Sequence, residues 1–330
     1  MDRLLGWILR QAEVTPAYHQ ERCLATKATG CRICADVCPH QAIVVRRRVE
    51  IDAIDCTGCG ICVAECPSQA LSPRGAPVPS DVALRCSQVG GSAPSVICLA
   101  RLMPTDLLRL SDAGGSVRLG RGACEDCEVG GSAVPELLED VAGRARALAE
   151  AVGRELSVSI VRTEALDDDL PERRLSRREM LRGGGTGARR ATASALAPLE
   201  RLAGADGDET AARPALPPDW RDSLELLSRA GLDGAALVPA RLPHVEDGCL
   251  LCPACTAACP TDAIQRRFGD DGSTILWLEP RRCVGCDACQ QVCPVAVVRM
   301  DEPVRWERLD RDRTVLASRP GGGQSGTTPR

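Results

Sequence analysis

One spacing governs this chain. The runs CTGCGICVAECP from Cys56, CLLCPACTAACP from Cys249 and CVGCDACQQVCP from Cys283 each read C-x2-C-x2-C-x3-C-P. The run CLATKATGCRICADVCP, Cys23 to Pro39, ends the same way. Its first cysteine is displaced, however: Ala28 stands three residues before Cys31, where a cysteine is due, and Cys23 lies further upstream. The four loops form two pairs. Between the members of each pair lies a segment with strand character, AIVVRRRVEID at 42–52 and AIQRRFGDDGSTILWLE at 263–279. In the second, GDDG supplies hairpin turn chemistry between two alternating runs. A unit of loop, hairpin and loop therefore occurs twice, over residues 18–75 and 244–305.

Composition agrees that something other than ordinary packing organises these units. Of 330 residues only six are aromatic, whereas twenty are cysteine, spread through the whole length. The amino terminus is charged and lacks a long apolar run, so no signal peptide is read there. No window reaches the roughly 18 to 20 consecutive apolar residues of a membrane span. The amphipathic start leaves peripheral membrane association open. A cytoplasmic location is the expectation, and there cysteine clusters bind metal rather than form disulfides. The net charge of −4 argues against nucleic acid as the main ligand. The basic run at 173–190 is interleaved with acidic residues and reads as a solvated linker.

The C-x2-C-x2-C-x3-C-P run closely resembles that of bacterial two-cluster ferredoxins, over nearly all of both units. In that family three thiolates of one loop bind one 4Fe-4S cluster. The fourth, followed by proline, is carried off by a helix start and ligates the other cluster of the pair. The resemblance therefore implies Cys56, Cys59 and Cys62 with Cys38; Cys249, Cys252 and Cys255 with Cys293; and Cys283, Cys286 and Cys289 with Cys259. It also implies Cys31, Cys34 and Cys66 with one more thiolate. Two readings of that last position stay open. Cys23 completes a 4Fe-4S cluster across a widened loop, which is favoured because such sites use four thiolates; or Cys23 is a buried thiol and the site holds a 3Fe-4S cluster. Zinc also takes four thiolates, but zinc ribbons present them as two separated C-x2-C knuckles. Ile33, Val37, Ile54, Ile61 and Val63 are expected to pack around the first pair of clusters, and the metal-free modules to fold poorly.

Between the modules the pattern changes. VALRCS, SVICLA, SVRLG and LSVSIV read as strands, and PTDLLRLSDA and VPELLEDVAGRARALAEAV as helices. Thr105 is the candidate cap of the first helix, and Leu138, Val141, Ala145, Leu148 and Val152 share one face of the second. The alternation argues for a small α/β unit with a partly parallel sheet. It carries Cys86, Cys98, Cys124 and Cys127, spaced C-x11-C-x25-C-x2-C. If SVICLA and SVRLG are parallel neighbours, their carboxyl ends bring Cys98 to Cys124 and Cys127. A further 2Fe-2S cluster or a zinc ion then becomes plausible, against four reduced thiols of no special role. This segment loosely resembles the delta-type subunit of methyl-viologen-reducing hydrogenases and thioredoxin-like 2Fe-2S ferredoxins. That resemblance implies a 2Fe-2S cluster and a link to heterodisulfide reductase. His40, beside Cys38, reads as a surface histidine within reach of a cluster; His19 and His244 read as solvent-facing.

The expected fold class is α+β: two ferredoxin-like modules of short hairpins and helices flanking a small α/β domain. In order these are an N-terminal helix at 1–17, a two-cluster module at 18–75, the α/β domain at 80–162, a flexible linker at 163–218 with a helix near 191–203, a connecting helix at 219–243, the second module at 244–305 and a disordered tail at 312–330. All-cysteine ligation leaves no open iron position, so the expected role is electron transfer without catalysis, with no catalytic residues. The chain would be a polyferredoxin-like carrier or electron-transfer subunit between a redox-protein donor and acceptor. The alternatives are a subunit of a heterodisulfide-reductase or hydrogenase-type complex, with a fifth metal site, and an iron-sulfur redox sensor.

Overall fold

The computed structural model describes residues 14–27, 29–74, 83–111, 115–167 and 213–321. Nearly all of the expected N-terminal helix, most of the linker with its helix near 191–203, and the last nine residues lie outside them.

The first module runs through Ala17–Tyr18 (β1), a one-turn helix Ile33–Asp36 (α1), Ile43–Val45 (β2), Val49–Ile51 (β3), a second one-turn helix Ile61–Ala64 (α2) and Leu71–Ser72 (β4). The Ile and Val runs of β2 and β3 favour a pleated pair, and they form a hairpin in the register Ile43↔Ile51. β1 pairs antiparallel with β4, closing the module outside its two loops. The apolar residues divide. Ile61 and Val63 are 3% and 2% exposed, but Ile54 is 76% exposed and Ile33 38%. Ile54 sits on the turn after β3, where Asp52 accepts from its N–H at 2.8 Å, and so points away from the core it was expected to join.

The middle region contains Ala83–Cys86 (β5), Ser95–Val96 (β6), Pro104–Leu110 (α3), Ser116–Arg121 (β7), Val134–Ala151 (α4) and Ser157–Arg162 (β8). The sheet order is β6-β5-β7-β8 and every pairing is parallel. β6 and β7 are thus not neighbours, as the sequence reading supposed, but flank β5. The face of α4 that carries Leu138, Val141, Ala145 and Leu148 is buried on this sheet. Leu84, Leu99, Leu102, Leu107, Leu108, Leu110, Leu119 and Leu138 are all at or below 2% exposure. Thr105 is not the cap of α3. Pro104, with no N–H to lose, takes the first helical position, and the N-cap is Met103, whose N–H donates to Asp106 at 2.9 Å. The Thr105 hydroxyl donates instead to Asp219 at 2.7 Å.

Asp219 belongs to Pro218–Arg229 (α5), so the connecting helix ends at Arg229 rather than 243. Gly231 turns left-handed at φ +63°, and Leu237–Val238 (β9) and Leu242–Val245 (β10) follow. The second module continues through Ala254–Ala258 (α6), Ile264–Phe268 (β11), Thr274–Leu278 (β12), Ala288–Gln291 (α7), Val298–Asp301 (β13), Val304–Arg305 (β14) and Trp306–Leu309 (α8). β10–β13 repeats the outer pair and β11–β12 the hairpin of the first module. The expected disordered tail is corrected in part: Thr314–Arg319 (β15) pairs antiparallel with β12, which would otherwise present an open edge. Among the described residues no helix is long and apolar enough to cross a membrane.

Candidate metal centres

The four loops share their backbone conformation. The residue before each second cysteine is left-handed: Gly30 at φ +70°, Gly58 at +72°, Leu251 at +54° and Gly285 at +68°. So is the third residue beyond each final cysteine: Gln41 at +52°, Gln69 at +49°, Asp262 at +53° and Ala296 at +51°. Such conformations cost a non-glycine residue about 1–3 kcal/mol each and persist only where the surroundings impose them. Glycine before Cys31 therefore marks Cys31 as the second cysteine of its loop, with the first still to be found.

Cys23 shares the local geometry of Cys283. It closes a 3-10 turn, Gln20–Arg22, with φ −74° and ψ 123°. Cys283, the first cysteine of an uninterrupted loop, closes the 3-10 turn Pro280–Arg282 with φ −78° and ψ 120°. Their N–H groups donate to Gln20 and Pro280 at 3.1 and 2.9 Å. The inserted residues are held by their own bonds: the Thr26 hydroxyl donates to the Cys23 carbonyl at 2.7 Å and that of Thr29 to the Leu24 carbonyl at 2.8 Å. The hydroxyls of Thr26 and Thr29 thus find their acceptors within the widened loop.

The thiols that perturb one another show which of them lie close together. Burial, with Cys66, Cys23 and Cys31 adding to it, pushes the Cys34 thiol up to about 12. Burial raises Cys62 further still, with Cys59, Cys56, Cys34 and Cys38 as neighbours. Cys38, Cys56, Cys59 and Cys62 line one cavity, together with His40 and Arg101. In the second module burial lifts Cys283 well above its ordinary value and Cys286 and Cys289 each to about 12, and all three have Cys259 beside them. Burial, then Cys252 and Cys249, pushes Cys255 up to about 11. No such neighbour appears for Cys293. Burial raises it, but the N–H groups of Val297, Val295, Val298 and Ala296 outweigh that and lower it, and its pairing rests on spacing.

Buried thiols that raise one another cannot ionise together unless a positive core receives them. Backbone N–H groups are already aimed at the sulfurs: Ala70 donates to Cys66 and Ala263 to Cys259, each at 3.2 Å, and Leu251 to Cys249 at 3.4 Å. Such donors stabilise negative charge on bound sulfur. Among the described residues no three His, Cys, Asp or Glu close on a point that one ion would occupy. The cavity among Cys38, Cys56, Cys59 and Cys62 frames a space, and these residues fit an inorganic core larger than an ion.

The structure also brings the four remaining cysteines together. Cys86 ends β5, Cys98 follows β6, and Cys124 and Cys127 bracket a 3-10 turn after β7. All four line a second cavity. They meet because β5 lies between β6 and β7 and all three point the same way.

Several contacts were not visible in the sequence. Arg22, 2% exposed, donates to the Gln69 carbonyl at 3.3 Å and to Ala215 at 3.1 Å. Its counterpart Arg282 donates to the Thr261 carbonyl at 2.9 Å and to Pro214 at 2.6 Å. Two equivalent arginines, each beside a first cysteine, thus reach the paired C-P corner and the same short segment. Leu24, Ala258 and Ala288 form a buried cluster with Cys31 and Cys286 packed against it, which joins the two modules through their cysteine loops. The doublet Gly58 and Gly60 was the available signal for a close approach: a side chain at Gly60 would collide with the Arg101 backbone. The histidines are tied down rather than free. His19 bonds Ser72 at 3.0 Å, His244 pairs with Asp301 at 2.9 Å, and His40 bonds the Val129 carbonyl at 3.0 Å.

A family model of a 4Fe-4S dicluster domain matches residues 22–70 and again 244–297. Among curated proteins, a ferredoxin of Mycolicibacterium smegmatis is 32% identical over 85 residues, 23% of this chain and 76% of that protein. A ferredoxin of Streptomyces griseus is 38% identical over 56 residues, 16% of this chain and 49% of its own length. A protein named Ferredoxin 7Fe, of Hydrogenibacillus schlegelii, is 30% identical over 56 residues, 16% of this chain and 65% of that one. No solved structure matches. The family match leaves out residues 71–243, so the α/β region is described by its geometry alone. Carrying two such domains, the chain belongs to the 4Fe-4S dicluster ferredoxin family, with four 4Fe-4S clusters as its cofactors.

Proposed function

We propose that this protein carries single electrons between a donor and an acceptor redox protein, through four clusters held by sixteen cysteines. The ligand sets are Cys23, Cys31, Cys34 and Cys66; Cys38, Cys56, Cys59 and Cys62; Cys249, Cys252, Cys255 and Cys293; and Cys259, Cys283, Cys286 and Cys289. Clusters of this kind take up and give back one electron at a time at potentials set by hydrogen bonds and exposure. The chain supplies the thiolates, the N–H donors that tune them, and apolar walls that keep water away.

The observation that carries this reading is continuity. Cys34 neighbours Cys62 within the first module, and Cys255 neighbours Cys289 within the second. Leu24 and its two alanines bring Cys31 and Cys286 against one buried cluster across the joint. The four centres thereby form one row, which suits passage across the protein better than storage at separate points. Cys23 is the ligand that decides the count. Anaerobically prepared protein should hold about 16 irons in the modules, and Cys23→Ala should lose about one, with a 3Fe-4S signal in its EPR spectrum. A parent protein that already shows that signal, as the name of the seven-iron relative suggests for its own case, would remove Cys23 from the ligand set. Turnover of a substrate by the isolated chain would overturn the carrier reading.

A further inference from the structure

The α/β domain joins the first module at the point where its own cysteines gather. The Thr57 hydroxyl, between Cys56 and Cys59, donates to the Val129 carbonyl at 2.8 Å, and His40, two residues after Cys38, bonds the same oxygen at 3.0 Å through Nε2. A carbonyl accepts, so Nε2 carries the proton. Val129 itself lies two residues beyond Cys127, and its N–H donates to the Cys127 sulfur at 3.4 Å. The next residue, Gly130, is pinched. A Cβ there would stand 3.0 Å from the Cys98 sulfur and 3.8 Å from Cys59 Cβ. One dipeptide, Val129–Gly130, is therefore gripped by loop residues of the Cys38, Cys56, Cys59 and Cys62 set on one side and touches the second cavity on the other. Burial, with Cys59, Cys86 and Cys124 beside it, pushes the Cys98 thiol up to about 12. Four thiols from three parallel strands around one cavity, with an N–H on one sulfur, repeat the features of the module sites.

We propose that Cys86, Cys98, Cys124 and Cys127 hold a fifth iron-sulfur cluster, which exchanges electrons with the neighbouring Cys38, Cys56, Cys59 and Cys62 centre across the Val129–Gly130 peptide. The exchange is one electron: the reduced centre loses it, its neighbour gains it, and no bond or proton moves. The row of four centres becomes a row of five, and the α/β domain becomes its terminus. This rests on the four-cluster reading of the modules.

The test is iron, sulfide and zinc per chain in the anaerobically reconstituted full-length protein and in Cys124→Ser/Cys127→Ser. The parent should hold about 18 irons or more, the variant about 16, with matching loss of sulfide and no zinc in either. Equal iron in both, or a zinc ion that disappears with the substitution, would overturn the fifth cluster. Failure of the four-cluster reading is distinguishable, since it gives module iron well below 16 in both chains. If the variant does not fold, the parent's own count decides, because about 16 irons already fills the modules. In the dithionite-reduced parent the EPR signal of the neighbouring centre should be broadened, and sharpened in the variant. An unchanged line in a variant that has lost the extra iron would overturn the coupling.

Discussion

The first module and the α/β domain bury opposite kinds of material. The domain closes on leucine: eight of them are at or below 2% exposure between β5, β7, α3 and α4. The module's core cluster of eight holds its own Cys23, Ile43, Val49, Cys62, Val63, Ala70 and Leu71 with Met103 added from the N-cap of α3, and no aromatic ring is fully inside it. Each buried leucine is worth about 1.5–3 kcal/mol of transfer free energy, so the domain can fold on hydrophobic burial. The module cannot match that, and two of its eight core residues are thiols that gain their stabilising role only when metal receives them. One chain thus contains a part that is folded by its side chains and a part that is folded by its ligands.

Removing the metal should separate the two most sharply. After anaerobic chelation, amide hydrogens of β1 to β4 should lose protection while those of β5, β7 and α4 keep theirs, read by hydrogen exchange. Simultaneous loss in both regions would show that the domain leans on the clusters as well. The converse perturbation is smaller. Leu138→Ala should destabilise the domain by about 2–5 kcal/mol in chemical unfolding, with the visible absorption of the module clusters unchanged until the domain melts.

Two weaker effects probe the strut between α3 and α5. Thr105→Val removes the hydroxyl that Asp219 accepts at 2.7 Å, and should cost about 1–3 kcal/mol because a buried carboxylate loses a donor. Burial raises the Asp219 carboxyl above its ordinary 3.8, although the Thr105 hydroxyl and N–H pull it down. The folded state therefore holds the extra proton. Its contribution is full below the unfolded value and is lost as pH rises through the folded one. Asp219→Asn escapes that loss. Urea midpoints should move in the variant's favour as pH rises from below 3.8 towards neutrality, and a constant difference across that range would show that Asp219 is not raised.

Sequence spacing revealed the sixteen module thiols because each loop is a local object, and local conformation follows local residues. It raised the Cys23 question for the same reason, and the 3-10 turn that Cys23 shares with Cys283 supplies the supporting geometry. The strand order was not legible. Cys86, Cys98, Cys124 and Cys127 were visible as residues, but that they share a cavity depends on β5 entering between β6 and β7, which no spacing encodes. Thr105 was misplaced because its true partner lies 114 positions away. β15 was hidden in a polar end whose alternation is weak, and it orders only because β12 offers an edge.

The arginine pair has a further consequence, for the order of assembly. Arg22 is buried at the start of the chain, yet one of its acceptors is Ala215, 193 residues later. Arg282 takes the neighbouring carbonyl of Pro214 from 68 residues on the other side. A chain emerging from the ribosome can therefore join Arg22 to Glu21 and Gln69 early, but its bond to Ala215 waits until that residue has been made. That one contact of the first module forms only after the α/β domain has been synthesised, and the segment that supplies it also receives Arg282 of the second module.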